Sequence, residues 1–378
     1  MNVIFTCGGT GGHINPAIAV ANVWKERHPE DHILFVGAKY RMEEDLVPKA
    51  GFEIKLIRST GIMRGWSLQD IAYNIKSVGR ILTNLHGCMK IIRDFKADVV
   101  IGTGGYACFT TLLAAKLCGV PTCVHEANAL PGLANRLAGG FVDRVLICFP
   151  ETAQHYKHPE RCQVVGMPVR QEFLFTKKEE ARKSLGLDDK PLVVSAFGSQ
   201  GAEEMNLAVA DLFRLEQEAG FPFHHIHAVG SFGWEWMPEK VRSMGVDLDN
   251  AKDIDMREFI YNMPTVMAAA DVVISRAGSS SCNEIAATGT PCILIPSPNV
   301  TDNHQEKNAR ALEAQGGAVV LLEDECTGAR LMQEVKALLA DSKRRTEMRS
   351  ALQRMAIPDS AQRICDEMEK LASKAHKE

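Results

Sequence analysis

Gly8-Gly9-Thr10-Gly11-Gly12-His13 lies between an apolar run, residues 3–7, and a helix-forming stretch that begins at Pro16. This order predicts a strand, a glycine turn and a helix. Glycines let the backbone turn tightly and bring N–H groups close to a ligand, and the helix directs its positive end toward the turn. The turn therefore predicts a site for an anion, above all for a phosphate.

A second copy of this arrangement begins far downstream, where the apolar run 192–197 precedes Gly198-Ser199-Gln200-Gly201-Ala202 and another helical stretch. Short β-forming runs alternate with helical stretches throughout, which predicts parallel sheets built from βαβ units. The predicted fold class is α/β, with two Rossmann-like parallel-sheet domains that face a central cleft. We expect a first domain over 1–166, a second over 167–340, and C-terminal helices over 341–378 that pack back across the first domain.

The same patterns predict the individual elements. In the first half, strands are predicted at 3–7, 33–36, 54–57, 99–101, 122–124, 145–148 and 162–165, and helices at 16–27, 68–93, 106–118 and 131–138. In the second half, strands are predicted at 192–196, 225–229, 253–255, 272–274, 292–295 and 318–322, and helices at 201–219, 263–269, 279–288, 303–315 and 327–340.

The composition is that of an ordinary globular protein, with 378 residues of which 46% are hydrophobic and 24% charged. The formal net charge of −4 gives no sign of a nucleic-acid partner. The 11 cysteines form no Cys-x-x-Cys pair, and several lie in apolar runs, which indicates buried reduced thiols. Without a signal segment or an apolar run of membrane-spanning length, we expect a cytosolic protein whose contact with a membrane is peripheral.

Residues 61–150 form a basic region, with nine Lys and Arg against five Asp and Glu. The predicted helix over 68–93 has an apolar stripe that its own domain can bury, which leaves Trp66 and Ile81 beside basic residues. From composition, ordinary surface scatter is the simpler interpretation. Docking on an anionic membrane surface is the alternative.

The first glycine turn departs from the dinucleotide fingerprint G-x-G-x-x-G. Ile14 occupies the third glycine position, and the next strand ends at Val36-Gly37-Ala38 without a carboxylate for ribose. This disfavours a nicotinamide oxidoreductase and favours a diphosphate or sugar site. His13, at the lip of the turn, is a candidate general base, since imidazole accepts protons near neutral pH; the alternative is that it only orients the turn.

Two more segments of the first half place polar groups after predicted strands, where open α/β sheets bind ligands. Gly102-Thr103-Gly104-Gly105-Tyr106 is a second candidate anion-binding turn, or else a tight structural turn. His125-Glu126-Ala127-Asn128 brings a carboxylate and an amide to a strand end, although helix capping would also explain Asn128.

In the second half, residues 275–284 combine serine hydroxyls with a helix start, which suits phosphate oxygens. Helix capping is the alternative, but it would need only one of these serines. Glu284 is placed to accept two hydrogen bonds from ribose hydroxyls, and residues 302–305 offer polar groups of the sugar-binding type. No Asp-x-Asp pair stands at a strand end, so we expect no metal site.

Taken in order, these motifs resemble the MurG family, bacterial peptidoglycan glycosyltransferases of the GT-B architecture, and the resemblance spans nearly the whole chain. It rests on residues 8–13, 102–106, 125–128, 166–170, 198–202, 275–284 and 304–308. The resemblance implies inverting transfer of N-acetylglucosamine (GlcNAc) from UDP-GlcNAc to the 4-hydroxyl of the N-acetylmuramyl (MurNAc) residue of lipid I, which gives lipid II. It also implies a peripheral protein at the cytoplasmic face of an anionic membrane, with no cofactor.

The resemblance further implies a role for each matching residue. His13 would be the first candidate for the general base and Glu126 the second. Substrate contacts would come from Thr10, Gly11 and Gly12 (donor sugar or diphosphate), Tyr106 (acceptor diphosphate), Asn128 and Gln305 (sugar), Arg170 and Ser199 (diphosphate), Ile260 (uracil), and Ser279, Ser280, Ser281 and Glu284 (phosphate and ribose). Asn283 departs from the family pattern, which has a small hydroxyl residue there. The remaining alternatives are a GT-B enzyme acting on another lipid, such as diacylglycerol, and a UDP-GlcNAc 2-epimerase.

Overall fold

The computed structural model describes residues 1–58 and 84–375, and the chain divides into two compact units. The first unit comprises Met1–Pro168 and Asp359–Glu378, and the second comprises Val169–Pro358. The break between them at Pro168 lies close to the predicted boundary at 166.

The first unit is built on a seven-stranded parallel sheet of order β3-β2-β1-β4-β5-β6-β7. All seven strands predicted for this half are present: β1 Asn2–Cys7, β2 His32–Ala38, β3 Glu53–Ile57, β4 Val99–Gly104, β5 Thr122–Glu126, β6 Arg144–Ile147 and β7 Cys162–Val164. Its helices are α1 Gly11–Arg27, α2 Glu43–Lys49, α3 over 84–95, α4 Tyr106–Leu117 and α5 Leu133–Ala138.

Both faces of this sheet are covered, as a parallel sheet requires. Successive side chains of a strand point to opposite faces. Phe5 and Ile101 accordingly pack in one apolar cluster with Trp24 of α1, while Ile4 and Leu112 pack in another. The apolar runs that predicted these strands are thus the centre of a doubly covered sheet.

The second unit repeats the design with a six-stranded parallel sheet of order β10-β9-β8-β11-β12-β13. Its strands are β8 Leu192–Ala196, β9 His224–Ala228, β10 Ile254–Arg257, β11 Val272–Ser275, β12 Cys292–Leu294 and β13 Ala318–Val320. Its helices are α6 Glu172–Phe175, α7 Lys178–Ser184, α8 Glu203–Glu218, α9 Met237–Ser243, α10 Met263–Ala269, α11 Ser279–Thr288, α12 His304–Ala314, α13 Gly328–Ala340 and α14 Ser342–Met355.

The C-terminal region differs from the expectation that all of 341–378 packs across the first domain. Helix α14 belongs to the second unit, where Met348 is buried in the same apolar cluster as Phe213. Only the last helix, α15 Ser360–Ala375, returns to the first unit, where Ile364 and Met368 lie in the cluster around Trp24. The division follows the apolar residues, because each helix buries its own stripe against a different sheet.

Helix α1 begins earlier than predicted, at Gly11 instead of Pro16. Proline is favoured in the first turn of a helix, which is why Pro16 suggested a start. Here Pro16 lies inside the helix, so His13 belongs to the first turn. Of the predicted helix over 68–93, residues 84–93 are helical; residues 68–83, with Trp66 and Ile81, lie outside the described part of the chain.

Candidate active site

The first glycine turn lies at the switch point of its sheet, where β1 is paired with both β2 and β4. Open α/β sheets bind ligands at this point, beyond the carboxyl ends of the strands. Thr10 is the N-cap residue of α1, and no side chain caps this helix end. The first turn therefore presents the N–H groups of Gly11 and Gly12 to an anion.

His13 is half-buried in the first turn of α1 and is held on several sides. Its Nδ1 lies 3.0 Å from the carbonyl oxygen of Gly8, and its main-chain oxygen accepts a hydrogen bond from Thr103 Oγ1 at 2.7 Å. Because a carbonyl oxygen only accepts, Nδ1 carries the proton and Nε2 presents a lone pair. A neutral imidazole in this tautomer is equipped to act as a base through Nε2.

The second glycine motif, at the end of β4, approaches the first one closely. A Cβ on Gly104 would lie 2.7 Å from His13 Nε2, and a Cβ on Gly105 would lie 2.6 Å from the oxygen of Gly8. Both glycines also have positive φ, +124° and +93°, so glycine is required at both positions. Tyr106 follows directly as the first residue of α4. The structure thus brings the two predicted motifs together.

Glu126 ends β5, is buried, and accepts four hydrogen bonds. Its Oε1 accepts from the main-chain N–H and the side-chain amide of Asn128, at 2.9 and 3.0 Å. Its Oε2 accepts from the N–H of Gly132 at 3.1 Å and from Asn135 Nδ2 at 2.9 Å. Because four donors occupy the accepting positions of this carboxylate, the structure favours His13 over Glu126 as the base, and Glu126 stays the second candidate. Glu126 holds the loop and orients the amide of Asn128.

His125 is a buried structural histidine. Burial lowers its pKa to about 4, so the ring is neutral at physiological pH. Its Nε2 lies 2.9 Å from the oxygen of Gly166 and donates a hydrogen bond to it.

The second unit contains a cavity of about 240 Å³ at its own switch point, between β8 and β11. Four of the predicted substrate-binding residues line it: Ser199, Ile260, Ser281 and Glu284. Ile260 and Met267 are buried and give it apolar walls, whereas Glu284 and the serines make one end polar. Such walls suit a flat heterocycle, and the polar end suits the hydroxyls of a ribose.

Glu284 has the most unusual electrostatics of this cavity. Desolvation raises its pKa to about 7, and the positive charge of Arg170 opposes the rise. Arg170 also lies 5.1 Å above the ring of Phe173, which holds its guanidinium in place. A carboxyl group that titrates near neutrality beside an arginine is typical of a ligand site.

Helix α11 begins at Ser279 after Gly278, and no side chain caps it. Capping is therefore not the task of Ser279, Ser280 or Ser281, and the first turn offers N–H and hydroxyl groups to an anion. Asn283 instead donates a hydrogen bond to the oxygen of Ser279 at 2.8 Å, within the helix.

The turn at 198–201 differs from its counterpart in the first unit. Helix α8 begins at Glu203, and Glu203 and Glu204 place two negative charges in its first turn. These charges weaken the attraction of the helix end for an anion, since like charges repel, and the contact of Ser199 with a diphosphate stays a prediction. Ser199 in the loop before it still lines the cavity.

Gln305 lies in the first turn of α12 and does not line the 240 Å³ cavity. Its Oε1 accepts a hydrogen bond from the N–H of Ser297 at 2.9 Å. This bond ties the start of α12 to the loop that follows β12.

A buried polar chain in the second unit was not predicted from the sequence. Ser195 Oγ lies 2.7 Å from both His225 Nε2 and His227 Nδ1. His225 Nδ1 lies 2.7 Å from Glu216 Oε1, and His227 Nε2 lies 3.3 Å from Asn206 Oδ1. The sequence contained a sign of this chain, because His225 and His227 are two residues apart on a predicted strand and therefore share one face of the sheet. Burial lowers the pKa of His227 to about 3 and raises that of Glu216.

Within residues 1–58 and 84–375, no cluster of three or more His, Cys, Asp or Glu could hold a metal ion, and no helix is long and apolar enough to cross a membrane. The cysteines of this part of the chain are free, and burial raises the pKa of Cys108 to about 12.

Comparison with known proteins agrees with this geometry. Residues 3–147 match the model of the glycosyltransferase family 28 N-terminal domain, and residues 192–364 match that of the family 28 C-terminal domain. The chain is 40% identical over 365 residues to a protein of Acetivibrio thermocellus named UDP-N-acetylglucosamine–N-acetylmuramyl-(pentapeptide) pyrophosphoryl-undecaprenol N-acetylglucosamine transferase, covering 96% of each chain. A protein of the same name from Desulforudis audaxviator is 38% identical over 375 residues, covering 99% of each.

Solved structures show the same fold. The crystal structure of MurG from Acinetobacter baumannii matches with a TM-score of 0.78 at 24% identity, covering 98% of this chain and 99% of that one. The UDP-GlcNAc 2-epimerase of Neisseria meningitidis bound to UDP-GlcNAc matches with a TM-score of 0.66 at 14% identity, covering 98% of this chain and 100% of that one. The likeness to both is one of architecture.

Proposed function

Because this chain belongs to the MurG family within glycosyltransferase family 28, we propose that it transfers N-acetylglucosamine from UDP-GlcNAc to the 4-hydroxyl of the N-acetylmuramyl residue of lipid I. The product is lipid II with a β-1,4 link, made for peptidoglycan. The observation that carries the proposal for the donor is the cavity of the second unit, with apolar walls at Ile260 and a carboxylate at Glu284.

The donor nucleotide occupies that cavity in the proposal. Uracil lies against Ile260, and the ribose hydroxyls donate to Glu284. Arg170 and the first turn of α11 attract the diphosphate, and they stabilise the charge that grows on UDP as the bond to the sugar breaks. Ser199, Ser279, Ser280, Ser281 and Gln305 complete the donor contacts.

The acceptor is activated by the first unit. His13 Nε2 takes the proton of the acceptor hydroxyl, whose oxygen attacks the anomeric carbon from the face opposite the leaving UDP. Glu126 acts through Asn128, whose amide it orients toward the sugar. Thr10, Gly11, Gly12 and Tyr106 supply the remaining contacts to diphosphate and sugar.

The membrane contact follows from the acceptor, whose undecaprenyl chain lies in a bilayer. We place the protein at the cytoplasmic face as a peripheral protein that docks on anionic lipid through its basic region, 61–150. Sedimentation with vesicles tests this: binding to vesicles that contain phosphatidylglycerol should exceed binding to phosphatidylcholine vesicles and should fall with added salt.

The decisive experiment measures UDP release from UDP-GlcNAc, with and without a short-chain lipid I analogue, in EDTA. Release that depends on the acceptor, with a product heavier by one GlcNAc, supports the proposal. Turnover only with another lipid acceptor would contradict the assigned substrate. Conversion of UDP-GlcNAc without any acceptor would indicate an epimerase.

The His13→Gln variant tests the base. We expect kcat to fall by about 10²–10⁴, while the Kd for UDP-GlcNAc stays within about threefold, because the donor cavity belongs to the second unit. Near-normal turnover would remove His13 as the base.

A further inference from the structure

Glu43 is a buried carboxylate that the proposed mechanism leaves unused. It is the first residue of α2 and its side chain is fully buried. Oε1 accepts a hydrogen bond from the N–H of Ala38 at 2.9 Å, and Oε2 accepts one from the N–H of Gly9 at 3.1 Å. No cation pairs with it among the residues that the structure describes. A buried carboxylate held only by main-chain N–H groups keeps its charge available to polarise those groups.

One peptide unit joins this carboxylate to the imidazole of His13. The N–H of the Gly8–Gly9 peptide donates to Glu43, and the C=O of the same peptide lies 3.0 Å from His13 Nδ1. A hydrogen bond to the N–H of a peptide increases the negative charge on its oxygen, which makes that oxygen a stronger acceptor. Glu43 and His13 are therefore coupled although their side chains do not touch.

Glycines leave the space that both side chains need. A Cβ on Gly37 would lie 2.6 Å from Glu43 Cγ, and one on Gly8 would lie 3.0 Å from Glu43 Oε1. On the other side, Gly104 leaves room for the ring of His13. Gly9, whose N–H donates to Glu43, has φ of +89°, a conformation that favours glycine.

We propose that Glu43 is a positioning residue for catalysis, which acts on His13 through the Gly8–Gly9 peptide. It fixes the tautomer with the proton on Nδ1 and the lone pair on Nε2. When Nε2 takes the proton of the acceptor hydroxyl, the polarised carbonyl of Gly8 stabilises the imidazolium. The arrangement does the work of the aspartate in a Ser-His-Asp triad with a peptide interposed. The inference rests on the proposed function in one respect, the role of His13 as the base.

The test is the Glu43→Gln variant, which keeps the shape of the side chain and removes its charge. We expect kcat to fall at least about tenfold, with the KM for UDP-GlcNAc within about threefold. Glu44→Gln is the matched control, because Glu44 also accepts a main-chain hydrogen bond in the same loop, from Tyr40 at 2.7 Å, but has no link to His13. Its kcat should stay within about twofold of the parent.

A second readout does not depend on turnover. In ¹⁵N-histidine NMR, the signals of His13 are those lost in His13→Gln. The parent should show the proton on Nδ1, and Glu43→Gln should show a larger share of the Nε2-protonated tautomer, because the Gly8 carbonyl is then a weaker acceptor. An unchanged tautomer in Glu43→Gln, or an unchanged kcat, overturns the proposal.

Should Glu43→Gln fail to fold, Gly37→Ala, which displaces the Glu43 side chain, is measured in the same way. If His13→Gln itself keeps its turnover, the proposed base is wrong, whereas the tautomer data still decide the coupling.

Discussion

Three glutamates show how the surroundings of one side chain decide its use. Glu126 is saturated by four donors, and Glu43 is held by two main-chain N–H groups. Glu284 instead lines a cavity, and desolvation raises its pKa to about 7. Sequence position suggested a site for Glu126 and Glu284 alike. Their surroundings differ in the structure, where donors surround the carboxylate of Glu126 and that of Glu284 lines a cavity.

The raised pKa of Glu284 predicts pH-dependent binding of UDP-GlcNAc. Ribose hydroxyls donate to the ionised form, so the affinity should rise about tenfold between pH 6 and pH 8, with release of a proton on binding. Calorimetry in two buffers of different ionisation enthalpy measures both. Glu284→Gln should bind more weakly and without this pH dependence; a variant that keeps the slope would show that another group titrates.

The same shift has a consequence for the stability of the free protein. The pKa of Glu284 is raised in the folded state from an ordinary 4.5 to about 7, so the folded protein holds this proton more tightly than the unfolded chain. Its contribution to stability is complete below pH 4.5 and is lost as the pH rises through 7. Glu284→Gln should flatten the dependence of the free energy of unfolding on pH in this window.

Gly104→Ala tests the packing of His13. The new Cβ would lie 2.7 Å from His13 Nε2, at a φ of +124°. We expect a loss of about 1–3 kcal/mol in the free energy of unfolding, with a fall in kcat. Gly87→Ala in α3 is the control, since nothing lies within 4 Å of its Cβ, and it should stabilise by about 0.5–1 kcal/mol. Urea unfolding and turnover are measured for both variants. The packing argument would be contradicted if Gly104→Ala and Gly87→Ala changed the stability and kcat equally.

At the scale of the element, every strand was predicted, whereas several short helices were not. The central strands β1, β4, β5, β8 and β11 are short runs buried almost throughout, a signal that needs no tertiary information, and the edge strands β3 and β10 are partly exposed. Helix α2 was missed because it begins with three acidic residues, ends near Pro48 and shows no apolar repeat of helical spacing. Glu43 was missed with it. The start of α1 was misplaced for the converse reason, since Pro16 gives a strong signal but lies inside the helix.

The buried polar chain between β8, β9 and α8 makes a prediction for these elements. Ser195→Ala removes the hydroxyl between His225 and His227 and leaves a buried ring nitrogen on each without its partner. We expect a loss of about 1–3 kcal/mol in the free energy of unfolding. Ser184→Ala at the end of α7 is the control, and its effect should stay within about 0.5 kcal/mol. An unchanged urea midpoint for Ser195→Ala would show that the chain contributes nothing to stability.

At the scale of the whole molecule, the first unit is completed by α15. Met368 is fully buried in the cluster that contains Trp24 and Phe5. Met368→Ala should destabilise the first unit by about 2–5 kcal/mol and leave the second unchanged. Lys374→Ala, an exposed position on the same helix, should have little effect. Differential scanning calorimetry distinguishes the two units, because UDP should raise the unfolding temperature of the second unit alone. A shift of that second transition by Met368→Ala would contradict the division.

The position of α15 in the chain also sets the order in which the protein matures on the ribosome. The strands β1–β7 emerge early, but the helix that covers one face of their sheet emerges only after residues 169–358. The second unit is one continuous segment, whereas the first unit lacks the helix that packs Ile364 and Met368 against its sheet until synthesis ends. Translation that stops before α15 therefore yields a complete second unit joined to a first unit with an uncovered apolar face, and we expect this product to be open to proteases.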